Sequence, residues 1–347
     1  MSEGPLERSV RGLLATFVIA TTILVFAALA NAESVFAPLA FALFIIALAW
    51  PLQRWLRLRL PVLVALAATM LVVVAIVLFL SIATVWAFGN VTRWFILEAP
   101  RLQALYSKLI EWLEQNGIAV AGFVGEKFDS VWLIRLLQEF AARLNTTLSF
   151  CIVTFVYSLL GLLEVEDAHA KLRRLEPEAT GRRLMQAASE MSSNLQMYMG
   201  VRTVMSVLTG ILVWALVRLA GLDLAVEWGV IAFALNYIPF IGPFVATLLP
   251  TVFAVAQFES WQTAIVIFLC LNLIQFIVGS YLEPRIVGRT LSMSPFLVLF
   301  SVFFWSYLWG ISGAFIGIPI VVATVAMLNQ FPSCRWLSLI LSGPQTE

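Results

Sequence analysis

Asn236-Tyr237-Ile238-Pro239-Phe240-Ile241-Gly242-Pro243 is the stretch that decides how this chain is read. It lies at the middle of residues 229–250, a run apolar enough for a bilayer that nevertheless carries Asn236, Gly242, Pro239, Pro243 and Pro250. Proline removes a backbone donor and clashes with the turn before it, so a helix entering this run breaks. In hydrocarbon the freed carbonyls need partners, which restricts such a break to backbone buried in protein or lining a watery cavity. A broken, polar-tipped membrane segment is the expected construction of a transport site.

Composition agrees. Hydrophobic residues make up 61% of the 347 and charged residues 12%, with a mean hydropathy of +0.96. A soluble chain has about 45–50% apolar and about 25% charged residues. The predicted class is an all-α integral membrane protein of about eight hydrophobic segments. A net charge of +1 without a basic cluster points away from nucleic acid. Cys151, Cys270 and Cys334 form no CxxC pair and read as small hydrophobes. His169 is the single histidine, so no metal site and no cofactor are expected. Residues 13–30 follow Arg8 and Arg11 like a signal peptide, but with no clear cleavage site they read as a retained first span.

Five parts follow along the chain. Residues 1–89 form a three-span unit, with spans at 13–30, 35–50 and from Pro61 to about residue 88. Arg54, Arg57 and Arg59, with Arg8 and Arg11, place the N-terminus on the cytoplasmic side. Residues 90–145 are expected as two extracytoplasmic amphipathic helices, one striped by Leu102, Leu105, Leu109 and Trp112, the other by Leu133, Leu136, Leu137, Phe140 and Leu144. Residues 146–200 hold a fourth span and a charged cytoplasmic segment. Residues 201–330 form the transport unit, and 331–347 a cytoplasmic tail.

Within that unit, residues 229–258 and 295–328 are each too long for one upright span of roughly 20 residues. The second is interrupted by Trp309-Gly310-Ile311-Ser312-Gly313 and by Gly317-Ile318-Pro319. Each tract is either one kinked crossing or a re-entrant hairpin. Positive-inside counting on Arg285 and Arg289 leans toward the hairpin, and both versions put the C-terminus inside.

Candidate residues carry two readings each. Asn236, beside Tyr237, either contacts a solute or caps the freed backbone, while Pro239, Gly242 and Pro243 form the break or a mere kink. Asn272 and Gln275 share a helical face and serve either interhelical bonding or the solute. Glu283 is the carboxylate for proton or sodium coupling if buried, and a solvated partner of Arg285 or Arg289 if interfacial. Pro284 and Gly288 favour the interfacial version, because they read as loop. Gly310, Gly313 and Gly317, with Pro319, are candidate hinge positions, although packing also explains the glycines.

The broken stretch, then Glu283-Pro284-Arg285-Ile286-Val287-Gly288-Arg289, Leu291-Ser292-Met293-Ser294-Pro295 and Trp309-Gly310 to Gly317-Ile318-Pro319, resemble the autoinducer-2 exporter family in order and spacing. The motifs are specific from about Tyr198 onward; the N-terminal half matches in hydropathy alone. The resemblance implies a multi-pass transporter of the bacterial inner membrane and a homo-oligomer, with a pentamer as the implied form. It also implies an exported small polar solute, autoinducer-2, or in other members sodium(lithium)/proton antiport. Relatives often carry Gly-Asn where this chain has Gly279-Ser280, so a solute contact at Ser280 would have a shorter reach. No Walker A motif is present, which leaves an ion gradient or the solute's own gradient as driving force. Intramembrane hydrolysis lacks its HExxH or Gly-x-Ser-x-Gly signature. The remaining rival is a membrane scaffold that binds partners through residues 90–145.

Overall fold

The computed structural model describes residues 5–98, scattered positions between 100 and 115, residues 144–175, 178–287 and 294–332, and positions 336, 337 and 341. All regular structure among them is helical: α1 (Pro5–Asn31), α2 (Glu33–Arg57), α3 (Val62–Leu97), α4 (Leu144–Arg173), α5 (Glu178–Leu219), α6 (Ala225–Leu235), α7 (Ile241–Phe258), α8 (Trp261–Gln275), α9 (Glu283–Val287) and α10 (Pro295–Gln330). A π-helical segment, Phe276–Leu282, joins α8 to α9. Seven of the described helices are long and apolar enough to cross a membrane, counting the α8–π–α9 rod as one. They turn large apolar side chains outward, such as Leu71, Phe79 and Ile82 on α3 and Leu269 on α8, as helices solvated by lipid do.

Several helices outrun their expected bounds. α2 continues through Pro51 to Arg57, because the Ala47 carbonyl freed by that proline accepts from Ser192 Oγ at 3.0 Å and Gln196 Nε2 at 2.7 Å on α5. α3 runs to Leu97, past the expected end of the third span near residue 88; the two amphipathic stripes expected beyond it lie mostly outside the described residues. The charged stretch after residue 164 is helical, formed by the end of α4 and the start of α5.

The two overlong tracts have a common form. Gln257, near the end of α7, donates to Gly221 O at 2.9 Å and accepts the Asp223 N–H at 2.8 Å, just ahead of α6. The start of α6 therefore lies beside the end of α7, and the two run antiparallel as a helical hairpin with its tip at Asn236–Phe240. At 11 residues α6 is about 16 Å long, roughly half a bilayer core. α10 also folds on itself. A Cβ at Gly313 would sit 1.8 Å from Trp305 O, and one at Gly317 3.0 Å from Ser301 O. Residues 301 and 317 would be about 24 Å apart along a straight helix. The break lies at Trp309 and Gly310, whose φ of +59° suits glycine; the helix then continues through Gly317 and Pro319, so the second expected interruption is absent.

α5 runs alongside both hairpins and shows that they point in opposite directions. Gly210 of α5 backs onto Gly229 and Phe233, and Ser206 and Thr203 meet the first tip, so that hairpin descends toward the charged half of α5. Gln330, at the open end of α10, bonds Glu190 in that charged half, while Trp309 at its tip reaches the Leu29 carbonyl at 3.1 Å. Phe315 lies against Tyr237 with ring centroids 6.0 Å apart, so the two tips pass each other. The open end of the first hairpin is anchored by aromatic packing of Phe253 on Trp94 (4.0 Å), Trp228 (5.3 Å) and Phe95 (5.8 Å).

Candidate substrate path at the hairpin tips

Short turns close the first tip: Ile238 N–H donates to Leu235 O at 2.9 Å and Gly242 N–H to Ile238 O at 2.9 Å. Phe240 holds a φ of +63°, an unusual backbone for a non-glycine residue. Leu224 and Glu259, at the entry and exit of the hairpin, also have positive φ. Gly242 is required sterically, since a Cβ there would fall 1.8 Å from Leu235 O. Pro239 is buried and Pro243 half-buried at the start of α7.

Asn236 is 5% exposed and donates Nδ2 to Ser206 Oγ at 3.2 Å. Its described side-chain bond thus ties the tip to α5 rather than to freed backbone. Tyr237 donates its hydroxyl to Thr203 Oγ1 at 3.0 Å. Next to Thr203, and one turn from Ser206 on α5, Arg202 is 6% exposed and its Nη1 meets both oxygens of Glu283 at 2.7 and 2.9 Å. Glu283 therefore pairs with a helix distant in sequence, not with Arg285, which instead stacks over Tyr281 at 4.0 Å. Arg289 lies outside the described residues. The expected loop at Pro284 is helical: proline would clash with the Ser280 carbonyl in an α-helix, and the wider π turn just ahead accommodates it.

The remaining predicted residues separate. Asn272 is exposed and folds its amide onto its own helix at Phe268 O, 2.8 Å away. Ser280 is exposed on the π segment. Gln275 is partly buried, with Nε2 lacking a partner. Gly313 and Gly317 are buried between the arms of α10, Pro319 is buried, and Gly310 is exposed at the tip. No group of three or more metal-ligating side chains occurs among the described residues.

Arg202, Ser206 and Thr209 were not among the predicted site residues. They recur along one buried face of α5, and Arg202 Nε and Thr209 Oγ1 have no hydrogen-bond partner. A buried donor without a partner costs about 1–3 kcal/mol. The available signal was a lone arginine in an apolar run, Gly200-Val201-Arg202-Thr203-Val204. Glu227 was missed as well: 8% exposed at the start of α6, it accepts from Asn90 Nδ2 at 2.8 Å, and Asn90 Oδ1 in turn accepts from Arg93 at 2.8 Å. Beside the tip, toward the Leu219 end of α5, lies an apolar cleft of about 470 Å³ lined by Val207, Gly210, Trp214, Gly229 and Phe233.

Residues 14–333 match the AI-2E family transporter group. The chain belongs to the AI-2E transporter family. It is 27% identical over 342 residues to the AI-2 transport protein TqsA of Escherichia coli, covering 98% of both chains. It is 30% identical over 198 residues to a Borreliella burgdorferi protein named "Putative transport protein", 57% of this chain and 55% of that one. A third relative, YhhT of Escherichia coli, is 30% identical over 147 residues, 42% of each. This AI-2E transporter is thus a multi-pass membrane protein of a bacterial transporter family, and its kinship is with transporters rather than enzymes.

Proposed function

We propose that this AI-2E transporter exports a small polar solute along the buried face of α5, gated by the two opposed hairpins. The observation that carries the reading is the broken tip at Asn236–Phe240, held by Ser206 and Thr203 and flanked by the Arg202–Glu283 pair. Desolvated polar groups of this kind within apolar helices belong to pathways more often than to lipid-facing surfaces. Asn236, Tyr237 and Gln275 contact the solute, Pro239, Gly242 and Pro243 keep the backbone open, and the α10 break supplies the moving element. Asn272 and Ser280, exposed elsewhere on their helix, face lipid or a second copy. Autoinducer-2 is the first solute to test, because the relative that spans nearly the full chain is named for it.

Arg54, Arg57, Lys171, Arg173, Arg182 and Arg183 gather at one end of the bundle, which supports an inner-membrane orientation with both termini in the cytoplasm and the first hairpin entering from outside. Both hairpins are then re-entrant. A homo-oligomer, with five copies as the form the family resemblance implies, completes the assembly.

Flux into proteoliposomes tests the reading. Uptake of autoinducer-2, sodium or protons above that of empty vesicles is expected, and none for any of them would defeat it. Cation/proton exchange is the second reading, favoured by the position of the Glu283 carboxylate beside the tip. It requires the Arg202 pair to part and predicts exchange that disappears in Glu283→Gln.

A further inference from the structure

Arg202 is a buried base whose hydrogen-bonding capacity is only partly used. Its Nη1 alone serves both oxygens of Glu283, while its Nε–H is buried with no partner. A guanidinium pairs most strongly when two N–H bonds run side by side onto two oxygens, and the Nε–H belongs to the edge that does so. Ser206 lies one turn along the same face; its oxygen receives the Asn236 amide, leaving its own O–H to donate. Thr209 follows with its hydroxyl unpartnered. These groups form a row of buried donors along one face of α5, and the acceptor that suits the unpartnered guanidinium edge is an oxygen-rich anion.

We propose that Arg202, with Ser206 one turn along α5, binds an oxyanion, a carboxylate or phosphate group, and that Arg202 exchanges Glu283 for it; Thr209 lies about 10 Å from Arg202 along the same face. The claim that this anion is cargo rests on the transport reading above; the claim that the site binds it does not. Glu283 acts as the placeholder that keeps the guanidinium neutralised between ligands. Its position at the junction of the π segment and α9 suits a group that must shift, since π turns hold an extra residue within the helix and recur at functional sites. A soluble anion and a lipid headgroup phosphate share this chemistry.

The test uses the full-length chain in phosphatidylcholine nanodiscs, titrated with radiolabelled inorganic phosphate and with glycolate. Removing the internal competitor in Glu283→Gln is expected to tighten binding of at least one probe by about tenfold or more, the scale of one lost charge-assisted bond. The charge-balanced pair Arg202→Gln/Glu283→Gln should lose that gain entirely. Thermal unfolding verifies that both variants are folded. Equal affinity in the two variants, or no saturable binding of either probe by folded Glu283→Gln, would overturn the oxyanion site. Adding phosphatidylglycerol separates the sources: loss of probe binding identifies a headgroup and unchanged binding a soluble anion, and either supports the site. Binding without flux of any solute would leave the site standing and defeat transport. Flux without Arg202-dependent binding would do the reverse.

Discussion

At the level of single side chains, the Arg202–Glu283 pair is an ion pair held between two helices, with Arg202 buried and Glu283 partly so. Removing one partner of a buried ion pair leaves an uncompensated charge, so Arg202→Ala should destabilise the protein by about 3–5 kcal/mol. The neutral double variant Arg202→Gln/Glu283→Gln should lose much less, a contrast that thermal unfolding in detergent measures. Ser206→Ala removes only the bond to Asn236 and should cost about 0.6 kcal/mol, typical of interhelical bonds in membranes. A stability loss for Ser206→Ala equal to that for Arg202→Ala would contradict this ranking. Asn236 and its prolines were legible in the sequence because a polar residue beside helix breakers is a local pattern. Arg202 was not recognised, although its apolar neighbours were visible, since its partner lies 81 positions away.

Among the helices, the hairpins make the sharpest predictions. Cysteines at 223 and 257 should be joined by a short bifunctional thiol crosslinker, because Asp223 N and the Gln257 side chain are hydrogen-bonded across the open end of the first hairpin. A tract crossing the bilayer would hold those positions on opposite sides, and no crosslink would form. Gly310→Ala should cost about 1–3 kcal/mol, as its φ of +59° with ψ of −139° is a backbone that essentially only glycine adopts, whereas a site with ordinary helical φ would tolerate alanine. Differential unfolding of the two proteins checks this. Proline and glycine placement disclosed that both tracts are broken. It did not disclose that the arms fold back, because a break permits either course and only contacts between arms, such as Gly313 against Trp305, choose between them.

For the molecule as a unit, orientation is the testable consequence. In a cysteine-free background, Arg59→Cys should react with an impermeant maleimide only from the cytoplasmic side, and Glu259→Cys only from outside. Labelling of both from one side would overturn the proposed insertion. Composition and periodicity were enough to establish an all-helical membrane protein, because in hydrocarbon each backbone must satisfy its own hydrogen bonds within a segment, and that requirement is written locally. Partnerships are different in kind. Ser192 and Gln196 rescuing the Ala47 carbonyl, Glu227 bonded to Asn90, and Glu283 taken by Arg202 rather than Arg285 all depend on which helices lie side by side. Desolvated polar groups bond to whatever the packing brings within reach, so their partners are settled only when the helices assemble.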